Sequence, residues 1–109
     1  MNLSKMGRAE TGPHRLRLYV AGSSPRSLRA VQNLKRICES ELSGRYNLEV
    51  VDIYKQPRRA VTDQIIAIPT LIKEAPGTLR RIIGDLSDRE KVLAGLNLVA
   101  TGLDPEGAP

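Results

Sequence analysis

The chain has 109 residues, a net charge of +5 at neutral pH and a hydrophobic content of 40%. This length fits one domain, and the hydrophobic content excludes an intrinsically disordered chain. No run approaches the ~18 apolar residues of a membrane helix, residues 1–14 lack the apolar segment of a signal peptide, and the single cysteine excludes an internal disulfide. We therefore expect a cytoplasmic protein with no membrane contact.

The first half of the chain predicts two strands that flank a helix. Apolar side chains alternate along residues 15–21, which indicates a strand. Ser24-Pro25 is typical of a helix start, and apolar residues then recur at helical spacing until Ser43-Gly44 ends the helix. A second strand is predicted over residues 46–54. Because a helix joins the two strands, we expect them to be parallel.

The second half predicts a weakly helical segment, a hairpin and a final helix. The weakly helical segment covers residues 58–67, and short strands at 70–73 and 79–83 surround a hairpin turn. Ser87 and Glu90 have the spacing of a capping box. The helix that follows them carries an apolar stripe, formed by Val92, Leu93, Leu96 and Val99.

This order of elements, βαβαββα, predicts an α/β domain of the thioredoxin-like type. The domain is expected to cover residues 15–100, between a flexible N-terminal tail at 1–14 and a C-terminal tail at 101–109. A redox protein with this frame would carry cysteines after the first strand, where this chain reads Gly22-Ser23-Ser24-Pro25-Arg26-Ser27. Serine cannot form a disulfide, so the pattern favours a binding module over an enzyme.

Other catalytic or metal chemistry has little support in the sequence. Cys38 lies among the apolar residues of the first predicted helix, which indicates a buried core side chain. The single histidine, His14, falls in the predicted tail, so we expect neither His-based catalysis nor a His/Cys metal site. We therefore predict no catalytic residue, no metal and no cofactor, with a thioredoxin-like redox enzyme that has lost its CxxC motif as an alternative.

The positive charge makes a basic nucleic-acid-binding module a second alternative. However, the arginines are spread along the chain, and the three tyrosines are its only aromatic side chains. No aromatic platform for single-stranded nucleic acid is therefore apparent. Two basic pairs, Arg58-Arg59 and Arg80-Arg81, are better candidates for docking to a protein partner.

Several segments of the chain closely resemble the KaiB family, from about residue 16 to about residue 99. The most specific is the run from Arg80 to Leu93. The others are Leu18–Gly22, Ser24-Pro25, Ser27, Arg29-Ala30, Val51-Asp52 and Ile68–Leu71.

The resemblance implies a non-enzymatic regulator in a circadian rhythm or in stress adaptation. Such a protein docks on a KaiC-type RecA-like ATPase and modulates its phosphorylation and output signalling. A histidine kinase with a KaiB-like domain is then its competitor. The resemblance also implies two folds: the thioredoxin-like monomer, and a βαββααβ fold that self-associates into dimers or tetramers. The predicted capping of the last helix favours the first.

The family pattern also implies which residues matter. The expected partner-binding residues are Arg29, Tyr46, Glu49, Asp63, Arg80 and Arg81. The expected fold-switch residues are Pro69, Gly84, Asp85 and Ser87, and the Ile68–Pro69 bond is expected to be cis in the thioredoxin-like state. Neighbouring strand residues point to opposite faces, so only one residue of the Arg80-Arg81 pair is expected at a given interface. Glu49 reverses the charge that is common in the family at that position.

Overall fold

A computed structural model of the chain describes residues 12–98. The elements are β1 (His14–Val20), α1 (Pro25–Leu42), β2 (Tyr46–Asp52), α2 (Pro57–Thr62), β3 (Thr70–Ala75), β4 (Arg80–Ile83) and α3 (Arg89–Gly95). This βαβαββα order confirms the predicted thioredoxin-like α/β fold. The predicted tails, except for residues 12–14, lie outside the described residues, as does Val99 of the predicted stripe.

The four strands form one mixed sheet in the order β2-β1-β3-β4. β1 and β2 are parallel, as predicted from the helix between them. β3 is antiparallel to both β1 and β4. The edges of the sheet are therefore β2 and β4.

The two faces of the sheet carry two hydrophobic cores of different size. The larger core joins Leu16, Leu18 and Val20 of β1 to the apolar faces of α1 and α3. The smaller core contains Tyr19, Val51 and Ile72, which pack under α2 and the segment after it. Alternate side chains of a strand point to opposite faces, so β1 contributes to both cores. We call the two sides of the sheet the α1/α3 face and the α2 face.

The start of the domain differs from the prediction. β1 begins at His14, one residue before the predicted start, and the His14 side chain is buried. The placement of His14 in a loose tail is therefore wrong. The reason is non-local, because His14 pairs with Tyr46 of β2 in the parallel register.

The start of the last helix also differs. Its N-cap is Asp88, whose carboxylate accepts a hydrogen bond from the Lys91 amide at 3.2 Å. The predicted Ser87–Glu90 capping box is therefore wrong. The Ser87 amide donates instead to Asp85 Oδ1 at 3.1 Å, which ties Ser87 to the preceding turn and leaves the cap to the next residue. The helix ends at Gly95.

Of the helices in residues 12–98, none combines the length and the apolarity that a membrane crossing needs.

Candidate functional site

Serines occupy the place where a redox protein of this fold would carry its dithiol. Ser24 caps α1: its hydroxyl oxygen accepts from the Ser27 amide at 3.3 Å and lies 2.9 Å from the Ser27 hydroxyl. The Ser27 hydroxyl oxygen in turn accepts from the Ala21 amide at 2.9 Å. These hydroxyls are therefore engaged in holding the β1–α1 turn together.

The single cysteine is not available as a reactive thiolate. Cys38 is fully buried in the larger core, as predicted. Burial raises the pKa of its thiol to about 12, so the thiol remains protonated near neutral pH. Within residues 12–98, no three His, Cys, Asp or Glu side chains come together in a group that could hold a metal ion.

An arginine at the centre of the sheet organises the α2 face. The Arg17 guanidinium donates to Asp63 Oδ2 at 2.8 Å and to Glu74 Oε2 at 2.5 Å, and its Nε lies 3.4 Å from Glu49 Oε1. The Arg17 side chain is only 20% exposed. We call this cluster the Arg17 network; it also includes three neighbours, Tyr19, Arg59 and Arg81.

The neighbours extend the network to α2 and to the segment that follows it. The Tyr19 hydroxyl contacts the Asp63 carboxylate and lies 3.2 Å from the Arg59 carbonyl oxygen. Arg81 of β4 donates to the Gln64 carbonyl oxygen at 3.1 Å and to that of Asp63. Arg59 also forms an ion pair with Glu49 of β2, so the network fixes α2 and residues 63–64 against β1, β2 and β4.

The carboxylates of the network are held in their ionised form. Hydrogen bonds from Arg59, and then from Arg17, lower the pKa of Glu49 to about 2. A hydrogen bond from Tyr19, supported by Arg17, lowers the pKa of Asp63. Both groups are therefore charged at physiological pH, and their charges are balanced within the chain.

The structure brings three of the six expected partner-binding residues together: Glu49, Asp63 and Arg81 all belong to the Arg17 network. The other three lie elsewhere. Tyr46, at the start of β2, donates to Glu39 at 2.8 Å, and Arg29 of α1 lies 3.3 Å from Asp85.

Arg80 lies beside Arg81 in β4 but points to the other side of the sheet. Arg81 is paired in register with Ile72 of the smaller core, and Arg80 with Lys73. The two arginines therefore point to opposite faces, as expected from the strand pleat. The Arg80 side chain is exposed, and within residues 12–98 it makes no ion pair or hydrogen bond.

The expected fold-switch residues form one junction between the start of β3 and the end of β4. The Ile68–Pro69 bond is cis, as predicted, and the Pro69 carbonyl oxygen accepts from the Gly84 amide at 2.9 Å. Gly84 has a φ of 118°, a conformation that favours glycine. The carbonyl oxygen of Asp85 accepts from the Asn33 side chain at 2.9 Å. Three of the four residues thus link β3 and β4 to α1, and Ser87 is bound to Asp85.

Sequence reasoning missed two exposed apolar residues that flank Asp63 of the network in the chain. Val61 and Ile66 are 77% and 92% exposed, although Ala60 and Ile65 pack on the smaller core. Arg58 lies one helical turn before Val61 and is also exposed. We call Arg58, Val61 and Ile66 the α2 patch. The sequence did contain a signal: Ala60-Val61 and Ile65-Ile66 are pairs of neighbouring apolar residues, and only one residue of each pair can face the sheet.

Comparisons with known proteins agree on one family and one fold. The family model described as the KaiB domain matches residues 17–98. Circadian clock protein KaiB3 of Synechocystis sp. is 51% identical over 88 residues, which cover 81% of this chain and 86% of that protein. The circadian clock oscillator protein KaiB of Prochlorococcus marinus subsp. pastoris is 58% identical over 84 residues, which cover 77% and 78%.

Solved structures show the same fold. The N-terminal domain of Synechococcus elongatus SasA aligns with a TM-score of 0.66 at 25% identity, over 84% of this chain and 90% of that one. Mitochondrial thioredoxin 3 of Saccharomyces cerevisiae aligns with a TM-score of 0.64 at 15% identity, over 87% and 88%. The likeness to thioredoxin concerns the fold alone.

Proposed function

The chain belongs to the KaiB family, and we propose that it regulates a KaiC-type RecA-like ATPase by docking on it and modulating its phosphorylation and output signalling. The observation that carries this proposal is the KaiB domain match over residues 17–98. It is supported by relatives at 51% and 58% identity that are named as circadian clock proteins. Family membership supports the role of a clock regulator; the ATPase as direct partner is the step that we propose.

The fold suggests how such a regulator alters signalling output. The SasA N-terminal domain shares this fold over most of both chains. Two proteins with one fold can present similar surfaces to one docking site, and occupancy by either excludes the other. We therefore propose that a histidine kinase with a KaiB-like domain competes with this chain for the ATPase.

We propose that the α2 patch makes the apolar contact with the ATPase. Large apolar side chains that are this exposed are typical of interaction sites when they cluster. The Arg17 network fixes the backbone at Asp63, midway between Val61 and Ile66, so the patch is presented in a defined shape. Preorganisation of this kind lowers the entropic cost of binding. Arg58 adds a positive charge, which favours an acidic rim on the partner.

Two alternatives have less support. A redox role would need a reactive thiol, yet serines occupy the α1 N-terminus and the Cys38 thiol is buried and protonated. A nucleic-acid role would need free cations along one groove, yet Arg17, Arg59 and other arginines are paired with carboxylates of the chain. The structure therefore favours docking to a protein over a redox role and over a nucleic-acid role.

A binding experiment tests the proposal. The double variant Val61→Ser/Ile66→Ser would be compared with the wild type for binding to the purified KaiC-type ATPase of the same organism. Burial of one side chain of this size is worth about 1.5–3 kcal/mol, and each 1.4 kcal/mol is a factor of ten. We therefore expect binding to weaken at least about tenfold.

Leu28→Ser is the matched control, because Leu28 is a half-exposed apolar residue of α1 and lies outside the patch. Circular dichroism would verify that all variants keep the fold. Absence of binding by the wild-type chain would contradict the proposed function. Normal binding by the double variant would leave the function standing and refute the role of the α2 patch.

A further inference from the structure

The His14 side chain joins the beginning and the end of the described chain. His14 opens β1 and is 8% exposed. Its Nε2 lies 3.1 Å from the carbonyl oxygen of Leu96, the residue that follows α3. A carbonyl oxygen can only accept a hydrogen bond, so Nε2 must carry the proton. This contact ties the segment after α3 to the first strand of the sheet.

The ring borders a cavity of about 370 Å³, which is lined by residues from both ends of the domain. Two cations act electrostatically on the ring: Lys73 of β3, and Arg45, which lies in the turn after α1 and lines the same cavity. One carboxylate, that of Glu41, also lines the cavity, but it lies 2.5 Å from the guanidinium of Arg89 in α3. On β1 itself, the nearest charge is Arg15, which lies 3.7 Å from Glu74.

This environment disfavours a charged imidazole. Burial lowers the pKa of His14, and the fields of Lys73 and Arg45 lower it further. The hydrogen bond to Leu96 opposes the shift without cancelling it. A second proton on the ring is therefore accommodated more easily in water than in the closed site.

We propose that His14 is a pH-sensitive latch, which holds the segment after α3 against β1 while the ring is neutral and releases it when the ring is protonated. Protonation therefore favours the open state, in which the imidazolium has left its site and is hydrated. That movement breaks the contact with Leu96, a residue with no exposed surface. Leu93 and Leu98, which pack on the same core, then lose a neighbour. Release would begin at the end of the domain and leave the central strands in place.

The sign of the effect follows from the direction of the pKa shift. The ring binds its proton more weakly in the closed state than in the open state, so the open state gains protons as the pH falls. The latch is fully effective above the ordinary histidine pKa of about 6.5. It weakens as the pH falls through that value, and the loss levels off below the pKa of the closed state.

Nuclear magnetic resonance of the full chain tests the latch directly. The ring signals of His14 would give its pKa, and amide hydrogen exchange, corrected for its intrinsic pH dependence, would give the opening of Leu93, Leu96 and Leu98 from pH 8 to pH 5. We expect opening of these amides to increase about tenfold for each unit by which the ring pKa is depressed. The amide of Leu18, in the centre of β1, should show no such increase.

His14→Gln keeps an amide donor but cannot titrate, so its opening should not depend on pH in this range. Arg45→Gln removes one of the two cations that lower the ring pKa, and it should therefore raise that pKa. A His14 pKa at or above 6.5, or equal pH dependence in the wild type and in His14→Gln, would overturn the proposal. If His14→Gln does not fold, the ring titration and the regional exchange pattern of the wild-type chain still decide the question.

Discussion

Removal of the Arg17 guanidinium should destabilise the domain more than any other single loss of charge on the α2 face. Arg17→Met keeps much of the aliphatic stem but leaves three carboxylates without their shared cation. Glu49 retains Arg59 as a partner, whereas Glu74 retains only the more distant and exposed Arg15, at 3.7 Å. The loss therefore falls mainly on Asp63 and Glu74, which lie 2.8 and 2.5 Å from the guanidinium.

The size of the effect follows from the exposure of these groups. The side chains of Arg17, Asp63 and Glu74 are 20%, 24% and 30% exposed, so the pairs lie between surface and interior. Exposed ion pairs contribute about 0–1 kcal/mol, whereas breaking a buried pair costs about 3–5 kcal/mol. We expect Arg17→Met to lower the free energy of unfolding by about 2 kcal/mol, which corresponds to a fall in Tm of roughly 8–16 °C.

Urea denaturation with linear extrapolation would measure the change. Arg58→Met is the matched control, because Arg58 lies on α2, is exposed and has no ion pair within residues 12–98; its effect should stay within about 0.5 kcal/mol. A double-mutant cycle with Asp63→Asn should give a coupling above about 0.5 kcal/mol. A loss for Arg17→Met no larger than that of the control, or additive effects in the cycle, would refute this interpretation of the network.

Two further predictions concern the last helix and the buried thiol. Asp88→Ala should lower the free energy of unfolding by about 1 kcal/mol, as loss of an N-cap does. Ser87→Ala should lower it less. If urea denaturation showed the larger loss for Ser87→Ala, Ser87 and not Asp88 would be the N-cap of α3. The native Cys38 thiol, with its pKa raised to about 12, should be alkylated by iodoacetamide at pH 8 far more slowly than in urea, and the chain should not reduce insulin. Equally fast labelling in both states would contradict this.

The elements that could be predicted are those with local signals. The Ser24-Pro25 pair predicted the start of α1 and the apolar alternation predicted β1, and the structure contains both elements. The cap of α3 was mispredicted because it depends on the turn before it. There Leu86 is buried with a φ of 64°, and Asp85 binds the Ser87 amide. No local pattern encodes that geometry.

The candidate site was harder to predict because its parts are distant in sequence. Arg17 belongs to β1, and its carboxylate partners come from β2, from the residue after α2 and from β3. Only the strand order β2-β1-β3 places them around one guanidinium. Glu49 and Asp63 could be singled out from the family pattern, whereas Arg17 could not, because nothing in the sequence shows that both approach it.

The same topology decides which positive charges are available to a partner. The net charge of +5 counts every basic residue equally. However, Arg17, Arg29, Arg59 and Arg89 form ion pairs within the chain. An internally paired arginine must lose its carboxylate before it can bind another, so its contribution to docking is reduced. Arg58 and Arg80 form no ion pair within residues 12–98, so they can bind a partner's carboxylate without first losing one of their own. Because they lie on different sides of the sheet, a partner bound at the α2 patch is expected to meet Arg58 and to leave Arg80 in solvent.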